Sequence, residues 1–133
     1  MQTRREQLQE CEDDLMCGVN VPKNADPAEM SDLEKKHVPV ITAPSAVSKG
    51  ECFEVIVEVG KHMDHPSEPG HFINFVDLYA DHTYLGRQHF VHTAVCPVAK
   101  FQIKLDHVHK QLRAFEWCNL HGTWEGTLPV TMQ

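Results

Sequence analysis

Three short segments of this chain gather side chains that hold transition metals. The first, Glu34-Lys35-Lys36-His37-Val38-Pro39, sets one imidazole beside a run of charge. The second, His65-Pro66-Ser67-Glu68-Pro69-Gly70-His71, places two imidazoles six residues apart on a loop that two prolines stiffen. In the third, Cys118-Asn119-Leu120-His121-Gly122-Thr123-Trp124, a thiol and an imidazole share one tight turn. Backbone N–H groups there can point at the sulfur, and Gly122 permits close approach or positive φ. Alone, each has an ordinary reading: a half-buried Cys beside a surface His, a solvated His pair, a solvated charged face. His62 is a rival to His65 as a ligand.

Together the segments offer four His and one Cys, a set suited to Fe, Cu or Zn. A structural zinc site closes with four ligands and typically paired Cys. Only one Cys lies in a ligand turn here. A blue-copper site wants two His, one Cys and usually an axial Met soon after. No Met occurs within ten residues after Cys118. Five protein ligands around an ion that takes six leave one position open, which favours iron with small-molecule redox chemistry. The alternatives are a non-catalytic copper- or zinc-binding electron-transfer sandwich and an interaction domain with no metal.

Such residues need a scaffold that brings distant loops to one end. Phe53, Val55, Val57 and Val59 alternate with Glu54 and Glu58, the period of a half-buried strand. Val38–Thr42, Phe72–Tyr79, Tyr84–His92, Phe101–Leu105, Gln111–Trp117 and Thr127–Thr131 read as further strands, and Asp81-His82 as a hairpin turn. About seven short strands with turn signals every 8–12 residues predict an antiparallel β-sandwich. No long helical period interrupts them. Residues 1–32 read as an N-terminal arm or linker, with one short helix expected over Gln2–Met16, and 33–133 as the metal-binding domain.

Length and composition fit one domain: 133 residues, 41% hydrophobic and 23% charged. A formal charge of −7 argues against nucleic-acid or anionic-membrane partners. No apolar run approaches the ~20 residues of a membrane span. The opening Met1-Gln2-Thr3-Arg4-Arg5 lacks the apolar stretch of a signal peptide, so the expected location is cytoplasmic. Five Cys without a secretory signal then read as reduced thiols or metal ligands.

The three segments, in their order, inner spacing and flanks, resemble the superoxide reductase family. The likeness is to the one-iron neelaredoxins and to the catalytic domain of desulfoferrodoxin, and it covers about residues 33–128. The resemblance implies a seven-stranded immunoglobulin-like sandwich. It implies one mononuclear iron held by the imidazoles of His37, His65, His71 and His121 and by an axial Cys118 thiolate. The sixth position would be open in the reduced state. Superoxide would be reduced there to hydrogen peroxide, without release of dioxygen. Rubredoxin or a similar small protein would re-reduce the iron. Lys36 matches the family's lysine, implying steering of the anion and proton supply. Relatives that form dimers and tetramers imply a homo-oligomer, with a tetramer expected.

Two positions depart from the family. It usually reads Glu-Lys-His, but here Lys35 stands two before His37 and Glu34 three before. Either Glu34 reaches the ferric ion as a sixth ligand or, the reading preferred here, water or hydroxide takes that place. Cys11 and Cys17 are spaced unlike the four-cysteine iron domain of desulfoferrodoxin and cannot complete one. Trp117 and Trp124 bracket the Cys-His turn, where they either shield the sulfur from water or serve core packing alone. His107 and His109 are a further, adventitious metal pair at most.

Overall fold

The computed structural model describes residues 14–133 and is built almost wholly from strands. In chain order these are β1 (Val19–Asn20), β2 (Pro39–Thr42), β3 (Ala46–Val47), β4 (Cys52–Val59) and β5 (Ile73–Ala80). There follow β6 (Thr83–His89), β7 (Val98–Lys104), β8 (Gln111–Cys118), β9 (Gly122–Pro129) and β10 (Thr131–Met132). Six of the seven longer strands lie close to where the sequence predicts them, the seventh (β9) begins at Gly122 rather than at Thr127, and together they form an all-β sandwich. One sheet has the order β1-β9-β8-β5-β6 and the other β2-β4-β7. Strand β2 packs across β8 and β9. The long pairings are antiparallel. The two-residue strands add parallel pairings, β1 with β9 and β3 with β10, which an all-antiparallel expectation did not contain.

Alternation decides which side chains fill the space between the sheets. On β4, Val55, Val57 and Val59 point inward while Cys52 and Glu54 stay exposed. On β8, Leu112, Ala114, Glu116 and Cys118 are buried, and the intervening residues are partly exposed. Val76 and Leu78 of β5 and Ala99 of β7 complete a fully enclosed apolar centre. Gly126 has to be glycine, because any Cβ there would collide with the carbonyl of Pro39 on the facing sheet.

The predicted helix over Gln2–Met16 falls mostly outside the described residues; within them, Leu15 and Met16 form a turn. A helix does occur at Asp32–His37 (α1), where the sequence suggested only a charge run. Its cause is a capping box. Ser31 Oγ accepts from the Glu34 N–H at 3.2 Å, and a Glu34 carboxylate oxygen accepts from the Ser31 N–H at 2.9 Å. Pro39 stops it. Among the described residues no helix is long and apolar enough to cross a membrane.

Register places one end of the sandwich under the three metal-type segments. Pro39 starts β2 opposite Val59 at the end of β4, and Ile73 starts β5 opposite Cys118 at the end of β8. Cys118 in turn faces Gly122 across the hairpin. The sequence predicts a tight turn at Cys118–His121 and the next strand only from Thr127. Only Asn119–His121 lies between the strands, because Gly122 already pairs and begins β9.

Candidate metal centre

Five side chains converge at this end. His37 leaves the last turn of α1, His65 and His71 come from the β4–β5 loop, and Cys118 and His121 flank the β8–β9 turn. Each offers one ligand atom, and the five atoms lie within 4.8 Å of one another. His62, Glu34 and the pair His107/His109 are not in this group.

Local hydrogen bonds decide which nitrogen each ring presents. His37 Nδ1 lies 2.7 Å from the Leu33 carbonyl, and His65 Nδ1 lies 2.7 Å from the Pro66 carbonyl. A carbonyl only accepts, so both Nδ1 atoms carry the proton and both Nε2 atoms carry a lone pair. Those two Nε2 atoms face each other at 3.2 Å. Cys118 Sγ lies 3.5 Å from His65 Nε2 and 3.6 Å from His121 Nδ1. His121 therefore presents the other ring nitrogen.

The electrostatics agree with this assignment. Burial lowers the pKa of His37 and His65 to about 4, and that of His121 also falls. These three imidazoles are neutral at physiological pH. Burial pushes the Cys118 thiol up, and the N–H groups of Leu120 and His121 partly offset this by donating to the sulfur. A bound cation would replace the thiol proton outright.

The donor set fits a transition metal. Two buried imidazole lone pairs aimed at each other across 3.2 Å repel unless a positive centre lies between them. His71 Nε2 is buried with no hydrogen-bond partner among the described residues, a rare and costly state for a polar atom. Four imidazoles and one thiolate are borderline ligands for mid-row metals. Backbone carbonyls orient His37 and His65 as outer partners orient metal-bound histidines generally.

Other residues support the ring of ligands. Gly60 adopts φ 87°, and a Cβ there would come 2.7 Å from the backbone nitrogen of His65. Gly122 adopts φ 80°, and a Cβ there would strike the Leu15 carbonyl of the arm. The arm is held against this turn by Asn20, whose Nδ2 donates to the carbonyls of Leu15 and Thr123. Trp124 is buried, and its Nε1 donates to the His121 carbonyl at 3.0 Å. Trp117 does not shield the sulfur. Its side chain takes the other face of β8 and stacks on Phe75 with centroids 6.5 Å apart.

Lys36 adds its charge, behind burial, to the forces that disfavour the imidazolium forms of His65 and His121. Glu34 is occupied elsewhere. One carboxylate oxygen takes part in the capping box and the other accepts from the Lys23 N–H at 2.7 Å. Cys52 and Cys96 are free and exposed and Cys118 is free and buried, whereas Cys17 is disulfide-bonded, where the sequence predicts reduced thiols or metal ligands rather than a disulfide framework. Cys11 lies outside the described residues.

Comparison with known proteins follows the same residues. The desulfoferrodoxin family model matches residues 29–127. A protein from Methanocaldococcus jannaschii is 38% identical over 112 residues, covering 82% of this chain and 90% of the relative. The superoxide reductase of Pyrococcus furiosus is 34% identical over 116 residues, covering 72% of this chain and 89% of its own. The structure of the superoxide reductase (neelaredoxin) from Ignicoccus hospitalis superposes with a TM-score of 0.73 at 31% identity, covering 91% of this chain and 98% of that one. With the family model matching residues 29–127, a span that contains all five converging side chains, the chain belongs to the desulfoferrodoxin family.

Proposed function

We propose that this protein is a superoxide reductase that binds one iron ion through His37, His65, His71, Cys118 and His121. The observation that carries the reading is the convergence of these five ligand atoms within 4.8 Å. The reaction is the reduction of superoxide by one electron and two protons to hydrogen peroxide, with the electron returned by a small redox protein such as rubredoxin. Bound iron supplies the one-electron couple, with a thiolate ligand that donates electron density to it.

The rest falls to the chain's own groups. His37 Nδ1 and His65 Nδ1 hold their protons on backbone carbonyls, which keeps both Nε2 lone pairs directed inward. The N–H groups of Leu120 and His121 stabilise negative charge on Cys118 Sγ. Trp124 walls the site from behind and keeps water from His37. Superoxide is an anion and the chain carries a formal charge of −7, so attraction has to be local. Lys36, whose field reaches His65 and His121, supplies that local positive charge and a proton-bearing nitrogen.

Metal analysis, visible spectroscopy and product counting test the reading together. Iron is expected at one per chain, with a visible thiolate-to-iron band in the oxidised protein that Cys118→Ser abolishes. With a reductant present, one hydrogen peroxide should appear per superoxide consumed. One peroxide for every two superoxide ions would mean dismutation. A colourless protein fully loaded with zinc would overturn the proposal.

A further inference from the structure

His37 and His65 are fixed through their rings, each by an Nδ1–H bond to a carbonyl, and His121 sits three residues from Cys118 on the same turn. His71 has neither advantage. Its Nε2 is buried with no hydrogen-bond partner among the described residues. It also rides on a long loop, from Gly60 to Phe72, between β4 and β5. Something has to place this ring by way of its backbone.

Asn119 is built to do so. Its Oδ1 accepts from the Phe72 N–H at 2.9 Å, and its Nδ2 donates to the Gly70 carbonyl at 2.9 Å. Its own backbone N–H points to the Phe72 carbonyl at 3.4 Å. One side chain thus grips the main chain immediately before and immediately after His71. Asn119 directly follows Cys118, so the grip ties the His71 segment to the Cys118 turn. A second brace comes from the same loop, where Glu68 and His71 exchange backbone hydrogen bonds of 2.9 Å in both directions. That brace shapes the loop, and Asn119 anchors it.

We propose that Asn119 is the positioning residue for His71, setting where its ring meets a bound metal by clamping the backbone on both sides of it. This rests on the metal-site reading above. An Asn suits the task because donor and acceptor are both required, one for a carbonyl and one for an N–H. Asp offers only the acceptor. Ala offers neither.

Cobalt(II) titration of metal-free protein tests this without activity, because the cobalt–thiolate charge-transfer band reports binding directly. Wild type, Asn119→Asp, Asn119→Ala, His71→Ala and the double variant are compared in a cycle. Asn119→Ala should weaken cobalt binding by about 10–100-fold, in line with losses of outer partners at metal sites, and Asn119→Asp by less. In the His71→Ala background the Asn119 substitution should cost little more. Equal losses in both backgrounds, or none in either, would overturn the proposal. If Asn119→Ala fails to fold, the same cycle run with Asn119→Asp decides. Wild-type protein that binds cobalt with no thiolate band would instead defeat the metal-site reading itself.

Discussion

The rings of His37 and Trp124 stack, with centroids 5.3 Å apart and planes 25° from parallel. The indole also donates to the His121 carbonyl, so one buried residue backs two of the candidate ligands. Two substitutions separate these roles. Trp124→Phe keeps an aromatic face and loses the N–H, and it should cost about 1–2 kcal/mol of unfolding free energy. Trp124→Ala also opens a cavity and should cost about 3–5 kcal/mol. Denaturant unfolding of both variants is the measurement. A loss below about 1 kcal/mol for the alanine variant would show that the wall behind His37 is not formed by this side chain.

Much of this was legible beforehand, and the misses have physical causes. Strict alternation marked β4 because Val55, Val57 and Val59 face one continuous core. Strand β9 broke that rule. Glu125 is buried in an ion pair with Arg113 at 2.7 Å, and Gly126 gives way to Pro39 on the facing sheet, so the period vanished where packing was tightest. Helix α1 was missed although its signal, Ser31 with Glu34 three residues on, was present in the sequence. It is too short to show a periodic face. The parallel pairings of β1 and β3 had no local signal at all, since two residues gain strand geometry only from distant partners. The three segments that supply the five candidate ligands were readable from residue type and spacing, while the choice of His65 over its rival His62 came from the family resemblance. What spacing could not show was which ring nitrogen each histidine turns inward, or that Asn119 spans the two loops.

Lys36 should control the encounter with superoxide. Lys36→Ala should lower the second-order rate constant about tenfold at low ionic strength, and Lys36→Arg should preserve most of it. Raising the ionic strength from about 0.01 M to about 1 M shrinks the screening length from about 30 Å to about 3 Å. The wild-type rate should fall over that range while the alanine variant stays nearly flat. Pulse radiolysis measures both. Identical salt dependence in the two proteins would remove Lys36 from the encounter.

The metal-free protein should lose stability on mild acidification. His37 and His65 hold folded-state values of about 4 against an ordinary 6.5, because burial disfavours the imidazolium. Above pH 6.5 neither state binds these protons. Between 6.5 and 4 the unfolded chain takes them up and the folded chain does not, so stability falls as pH falls. Two such protons contribute a slope of up to ~2.7 kcal/mol per pH unit. Urea unfolding of metal-free protein at several pH values in that window should show the decline, and the double variant His37→Gln/His65→Gln should flatten it. An unchanged slope in the double variant would assign the effect to other groups.

Glu116 gives the opposite dependence. It is fully buried on β8, two residues from Cys118 on the same face, and neither carboxyl oxygen has a hydrogen-bond partner among the described residues. Burial alone raises its pKa well above the usual carboxylate value, so the folded chain keeps the acid protonated where the unfolded chain ionises it. A raised folded-state value means stability that is present in acid and lost as pH climbs past the unfolded value. Replacing the group by an apolar side chain of similar length removes both that loss and the unsatisfied oxygens. Glu116→Met in metal-free protein should therefore gain about 1–3 kcal/mol at pH 7 and less at pH 4.5. Urea unfolding at the two pH values measures the difference. A variant less stable than wild type at pH 7 would mean that the carboxyl is satisfied in solution and contributes to holding β8 in place.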